Sequence, residues 1–79
     1  MINILLFANL AQQAKTERVS IEVHSPLSVE EVRNFLQNQV GDLSGIENAL
    51  VAVNEEYVEL TDQVKDGDTV AFIPPVSGG

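Results

Sequence analysis

Ser28-Val29-Glu30-Glu31-Val32-Arg33-Asn34-Phe35-Leu36-Gln37-Asn38-Gln39-Val40-Gly41 is the stretch on which the fold turns. Ser28 stands where its hydroxyl can accept from the free N–H groups of a first helical turn. Glu31, three residues on, can reach back to the Ser28 amide in a capping box. Glu30 and Glu31 also lie in the positive field of that turn. Val29, Val32, Phe35, Leu36 and Val40 recur at helical spacing and define one buried stripe. Gly41 supplies a C-terminal stop. The segment reads as one amphipathic helix, and its apolar face needs a sheet to lie on.

The strands for that sheet flank it on both sides. Ile2-Asn3-Ile4-Leu5-Leu6-Phe7 is short, apolar and rich in β-branched residues, as a strand requires. Ala8–Lys15 carries helix formers without Gly or Pro, which predicts a short helix. Val19-Ser20-Ile21-Glu22-Val23 alternates apolar and polar residues and reads as a half-buried strand, antiparallel to the first. Beyond the main helix, a turn near Ile46 leads to a strand over Leu50–Val53, a turn at Asn54-Glu55-Glu56 and a short partner strand over Tyr57–Leu60. Lys65-Asp66-Gly67-Asp68 signals another turn, and Thr69–Ile73 the last strand, ended by Pro74-Pro75. The first and last strands are apolar on both parities and belong together at the centre. This order predicts an α+β fold, a mixed sheet packed on one main helix, which is the ubiquitin-like β-grasp. Residues 1–73 form that domain and residues 74–79 a projecting tail.

Composition narrows what such a domain can do. Seventy-nine residues allow one thin core. The formal charge is −8, with −1 in residues 1–39 and −7 in residues 40–79, while Thr69–Gly79 carries no charged side chain. An acidic surface repels phosphate backbones and anionic lipid, so neither nucleic acid nor a membrane surface is an expected partner. It serves either solubility or encounter with a basic partner protein. Cysteine is absent and His24 is the sole histidine. Disulfides, thiolate zinc sites and cysteine nucleophiles are therefore excluded. No apolar run reaches the roughly 20 residues of a membrane span, and no basic leader precedes an apolar stretch, so a cytoplasmic location is expected.

Side-chain chemistry is sparse. His24 sits beside Ser25-Pro26 in a loop, where a surface histidine is the ordinary reading. The pairs Glu30/Glu31 and Glu55/Glu56 are adjacent in sequence and diverge, so they fit a helix start and a solvated turn rather than a shared proton or metal. Gly41 and Gly45 do not belong to a phosphate-binding GxxxxGK[ST] pattern. No metal site is expected, and no cofactor bound by the chain.

The end of the chain differs. Pro74-Pro75-Val76-Ser77-Gly78-Gly79 closes on two glycines, a pairing that chance places at the end of about one chain in 200 at roughly 7% glycine usage. A frayed end is the plain alternative. The Pro-Pro step favours polyproline II and holds the tail off the domain. Six residues extend roughly 20 Å, and glycines pass through a slot that side chains would block. The tip presents the α-carboxylate of Gly79, a poor acyl donor until ATP converts it to an acyl-adenylate. An amine nucleophile would then make the chain a protein tag, whereas sulfide or a persulfide would make a thiocarboxylate. With no thiol in the chain, only Gly79 can carry sulfur.

The ending Phe72-Ile73-Pro74-Pro75-Val76-Ser77-Gly78-Gly79, preceded by Asp66-Gly67-Asp68, closely resembles the small, sulfur-carrier subunit of molybdopterin synthase, the MoaD family. Ile4-Leu5-Leu6-Phe7-Ala8 and Ala52-Val53-Asn54 extend the resemblance over nearly the whole chain. It implies a carrier that is not catalytic alone. An adenylating, E1-like enzyme would activate Gly79 with its ATP, and a sulfur-donor protein would supply the sulfur. Pro74, Pro75, Val76, Ser77 and Gly78 would then thread the thiocarboxylate into the large subunit of a heterotetramer. Sulfur would pass there to cyclic pyranopterin monophosphate, for molybdenum cofactor biosynthesis. Sulfur carriers for thiazole or cysteine synthesis, and ubiquitin-like modifiers, share the Gly-Gly end; modifier tails usually carry basic residues, which this tail lacks. Where family members often have Arg-Glu after the first strand, this chain has Ala11-Gln12-Gln13-Ala14-Lys15.

Parity locates a docking face. Asn3 is polar, so Ile2, Ile4 and Leu6 face the helix while Leu5 and Phe7 share the outer face. Glu59 likewise places Tyr57 outside and Val58 and Leu60 inside. Val70 and Phe72 point in and leave Ile73 outward. Leu5, Phe7, Tyr57 and Ile73 thus form an apolar patch for a partner, unless the chain's own loops cover it.

Overall fold

The computed structural model describes residues 1–75. Five strands form one mixed sheet: β1 (Ile2–Leu6), β2 (Arg18–Ile21), β4 (Leu50–Val53), β5 (Glu56–Tyr57) and β7 (Thr69–Ile73), in the order β2-β1-β7-β4-β5. β1 and β7 run parallel at the centre, and every other neighbour pair is antiparallel. The main helix α2 (Val29–Val40) crosses one face. This is the β-grasp arrangement expected from the element order.

Strict alternation builds the core. Ile2, Ile4 and Leu6 of β1 and Val70 and Phe72 of β7 are buried, as are Val19, Ile21 and Val51 on the flanking strands. They meet Val29, Val32 and Leu36 of α2. Each such side chain contributes about 1.5–3 kcal/mol on leaving water. The helix starts as the capping box requires: Ser28 Oγ accepts from the Glu31 amide at 3.1 Å, and Glu31 Oε1 accepts from the Ser28 amide at 2.9 Å. The stripe is narrower than its spacing predicts, because Phe35 is 50% exposed. It stands on the flank of the helix, beyond the arc that Val29, Val32 and Leu36 turn to the sheet.

Element ends differ from the expected ones by a residue or more. The short helix α1 spans Ala8–Ala14, with Lys15 in a left-handed cap, and β2 begins at Arg18 and ends at Ile21. Leu10 of α1 is fully buried among the core residues. The strand expected over Tyr57–Leu60 is only the pair Glu56–Tyr57. Leu60, expected inside, is 37% exposed. The backbone explains this, since residues 60–64 leave the sheet to cover the start of α2. The Leu60 and Asp62 carbonyls accept from the Glu30 and Val29 amides, two N–H groups that a helix start leaves free. The same excursion forms an unexpected two-stranded ribbon, β3 (Leu27–Ser28) with β6 (Gln63–Val64), which buries Val64.

A 3₁₀ turn over Ile46–Asn48 stands where a turn was expected and buries Ile46. Among the described residues, no helix is long and apolar enough to cross a membrane.

Candidate functional site

With α2 on one face, the other face of the sheet is left to the residues of opposite parity. Register places them in rows. Arg18, Leu5, Ala71, Ala52 and Tyr57 are successive partners across all five strands. One row toward the tail, Ile73 partners Leu50. One row the other way, Asn3 partners Ser20 and Thr69.

The middle row makes a groove, because its two central members are alanines. Leu5 and Phe7 line a concavity of about 600 Å³ together with Tyr57, Ile73, Ala52 and Ala71; Asn54, Glu55 and Thr69 give it a polar part. Tyr57 is 71% exposed and Phe7 45%. Leu5 and Ile73 are half-buried. All four residues chosen by parity therefore line one hollow. The sequence reading did not name its floor, Ala52 and Ala71, although the same parity that sets Ile73 outward sets Ala71 outward too.

The polar part is fixed from behind. Asn54 and Glu55, both at positive φ, form the two-residue turn between β4 and β5. The Asn54 amide group donates to Asp68 Oδ1 at 2.9 Å, and its oxygen accepts from the Thr69 amide at 3.0 Å. Asp68 Oδ2 accepts from the Lys65 amide at 3.0 Å. These hydrogen bonds, the Lys65 amide's first, hold the Asp68 carboxyl below its ordinary value against the opposing effect of burial.

A second hollow, about 500 Å³, shares Leu5 and Phe7 and is completed by Leu6, Ala8, Ala11, Gln12, Glu17 and Arg18. Ala11 and Gln12 belong to the stretch that departs from the resembled family's Arg-Glu. The neighbouring Gln13 turns elsewhere, exchanging two hydrogen bonds with the Ser44 backbone at 2.7 and 3.0 Å.

Ile73, at one end of the concavity, is the last residue of β7. Pro74 follows half-buried and Pro75 exposed. Val76, Ser77, Gly78 and Gly79 lie outside the described residues. What the arrangement offers is an apolar, concave docking surface at the root of the tail, lined by one carboxylate, Glu55. Among the described residues, no group of three or more His, Asp or Glu side chains is placed to hold a metal ion.

Comparisons with known proteins agree on one family. The sequence pattern of the ThiS family matches residues 4–79. The molybdopterin synthase sulfur carrier subunit of Drosophila melanogaster is 36% identical over 81 aligned residues, covering 99% of this chain and 90% of that one. The small archaeal modifier protein SAMP1 of Haloferax volcanii superposes with a TM-score of 0.83 at 28% identity, covering 99% of this chain and 98% of that one. A chain in the protein–protein complex of subunits 1 and 2 of the Helicobacter pylori molybdopterin-converting factor matches with a TM-score of 0.70 at 26% identity, covering 99% and 97%.

Proposed function

Because this chain belongs to the ThiS family, we propose that it is the sulfur-carrier subunit of a molybdopterin synthase. One observation carries the reading: the likeness to molybdopterin synthase sulfur carrier subunits covers 99% of the chain, the groove-lining strands included. The Pro-Pro-Val-Ser-Gly-Gly ending fits that role, with a slender uncharged tip on a stiff arm.

The chemistry belongs to the α-carboxylate of Gly79. An oxygen of that carboxylate attacks the α-phosphorus of ATP held by an adenylating enzyme; pyrophosphate leaves and an acyl-adenylate remains. Sulfide, or the terminal sulfur of a donor's persulfide, attacks the carbonyl carbon. AMP departs with its phosphate oxygen. Sulfide gives the thiocarboxylate directly, whereas a persulfide gives an acyl disulfide. A second thiol of the donor then reduces that S–S bond, releasing the thiocarboxylate and leaving a disulfide on the donor. The larger synthase subunit receives the tail, and the thiocarboxylate sulfur attacks a side-chain carbon of cyclic pyranopterin monophosphate, from which an oxygen substituent leaves, to give a thioester. Water cleaves the acyl carbon–sulfur bond, restoring the carboxylate and leaving the sulfur on the pterin as a thiol. Two such transfers supply a dithiolene.

The groove of Leu5, Phe7, Tyr57 and Ile73 is the docking surface in this reading. Its apolar lining loses water against a partner, and the tail departs from its edge, so docking and threading are one event. The chain contributes recognition and the reactive terminus, and its partners contribute the catalytic groups.

Intact mass after co-expression with an adenylating and sulfur-donating system tests the first half of the cycle. The expected change is one sulfur-for-oxygen exchange, abolished by deletion of Gly79. An unchanged mass, in a system shown to load a known carrier, defeats the proposal. The likeness to an archaeal modifier protein gives a second reading, a covalent protein tag. That reading requires lysine-linked conjugates, seen as a high-mass ladder on a denaturing gel.

A further inference from the structure

Arg18 is the one basic residue lining either hollow of the outer face. Its guanidinium makes no ion pair or hydrogen bond among the described residues, and only its backbone is engaged, with Thr16. The side chains of Lys15, Arg33 and Lys65 likewise make no ion pair among the described residues, so what sets Arg18 apart is its place in a hollow of the outer face. Arg18 partners Leu5 in the register, so it begins the row that ends at Tyr57. Four strand spacings of roughly 4.8 Å put about 19 Å between the backbones at the two ends. Beyond Val53, next to the Tyr57 end, the Asn54–Glu55 turn brings the Glu55 carboxylate to the groove. The apolar strip therefore has a cation at one edge and an anion at the other.

We propose that Arg18 is an orientation-specifying contact: it pairs with a carboxylate on the surface that docks over Leu5 and Phe7. The occupant is a partner protein presenting an apolar side chain to the hollow, a carboxylate beside it for Arg18, and a basic group for Glu55. Charge complementarity carries this. A guanidinium beside Leu5 and Phe7 loses water on docking, and a carboxylate fork compensates it with two parallel hydrogen bonds. A partner rotated by half a turn sets like charges against both edges and is rejected. Glu17 lines the same hollow, so the incoming carboxylate must sit on the Arg18 side of it. Correct orientation matters because the tail leaves from the Ile73 end only. The inference rests on the docking role proposed above and adds the partner chemistry to it.

The experiment compares the full chain and three variants for association with the large synthase subunit, by stopped flow at two salt concentrations. Arg18→Glu is expected to slow association about tenfold at low salt and to flatten the salt dependence. Arg18→Lys is expected to recover part of that loss, because it keeps the charge without the fork. Arg33→Glu, on α2, makes the same change in net charge away from both hollows and is expected to leave association near wild type. Equal rates for Arg18→Glu and wild type overturn the inference, and so does equal slowing by Arg33→Glu, which would make net charge the cause. Failure of the wild-type chain to bind at all, or to transfer sulfur, counts against the carrier reading instead.

Discussion

Asn54 and Asp68 hold each other side chain to side chain, 14 positions apart in sequence, with Asn54 Nδ2 donating to Asp68 Oδ1 at 2.9 Å. Asn54 sits at φ 51° in the β4–β5 turn, a region where asparagine is among the few tolerated side chains. Asp68 precedes β7, the central strand, and its own carbonyl accepts from the Asn3 amide of β1. The pair thus ties the rim of the groove to the middle of the sheet. Asn54→Ala removes two hydrogen bonds, one of them to a charged and largely buried carboxylate. The expected loss is about 2 kcal/mol. For a domain of this size it reads as a fall of roughly 10 °C in melting temperature by calorimetry.

Acid should expose the same contact. Hydrogen bonds from the Lys65 amide and the Asn54 side chain favour the charged form of Asp68, so its folded-state pKa lies below the ordinary value of 3.8. A depressed carboxylate pKa adds stability that is full above the unfolded pKa and is lost as pH falls through the folded one. Urea melts of wild type and Asp68→Asn should differ by a constant amount above about pH 5, and the difference should shrink below pH 4. A gap unchanged down to pH 2 would mean that the carboxylate's charge has no part in the contact.

Glu55 carries strain that a glycine would relieve. It sits at φ 74°, the second position of a two-residue turn where glycine is the usual occupant. Glu55→Gly should therefore raise stability by about 1 kcal/mol. In the same stroke it removes the one carboxylate from the groove. A more stable protein that docks more slowly would show that the strained residue is kept for the surface rather than for the fold. Paired melts and association rates measure both sides of that exchange.

What could be read from the residues, and what could not, follows from how far each signal reaches along the chain. Ser28 and Glu31 settle a helix start locally, and the parity of Asn3 settles which side of the first strand is wet. Those local signals were enough for the β-grasp and for grouping Leu5, Phe7, Tyr57 and Ile73. Phe35 misled because helical spacing alone does not say how wide an arc a small sheet can cover. Leu60 misled because the chain leaves the sheet there to satisfy the Glu30 amide, a demand set by a helix start 30 positions earlier in sequence. The two-residue strands Leu27–Ser28 and Gln63–Val64 have no periodicity to detect. The place of Arg18 beside Leu5 depends on which strands become neighbours, and no spacing along one strand reveals it.

Ala71 gives the sharpest separation of fold from function. It lies at the centre of the sheet, partnered by Leu5 on one side and Ala52 on the other, and its side chain faces the groove. Its neighbours Val70 and Phe72 face the opposite way and are fully buried. A larger residue at position 71 fills the groove floor without entering the core, since the backbone of the sheet stands between them. Leucine is also compatible with a strand, and the hollow has room for three more carbons. Ala71→Leu should change the melting temperature by only a few degrees, as an outer-face substitution of under 1 kcal/mol does. Association with the large subunit should fall at least a hundredfold, because the partner's apolar side chain no longer seats between Leu5 and Tyr57. Val70→Ala reverses the pattern: a cavity beside Phe72 and α2 should lower stability by about 2 kcal/mol while the groove keeps its shape. Calorimetry and titration of the two variants side by side decide the matter, and an Ala71→Leu protein that binds as wild type would move the docking surface off this face.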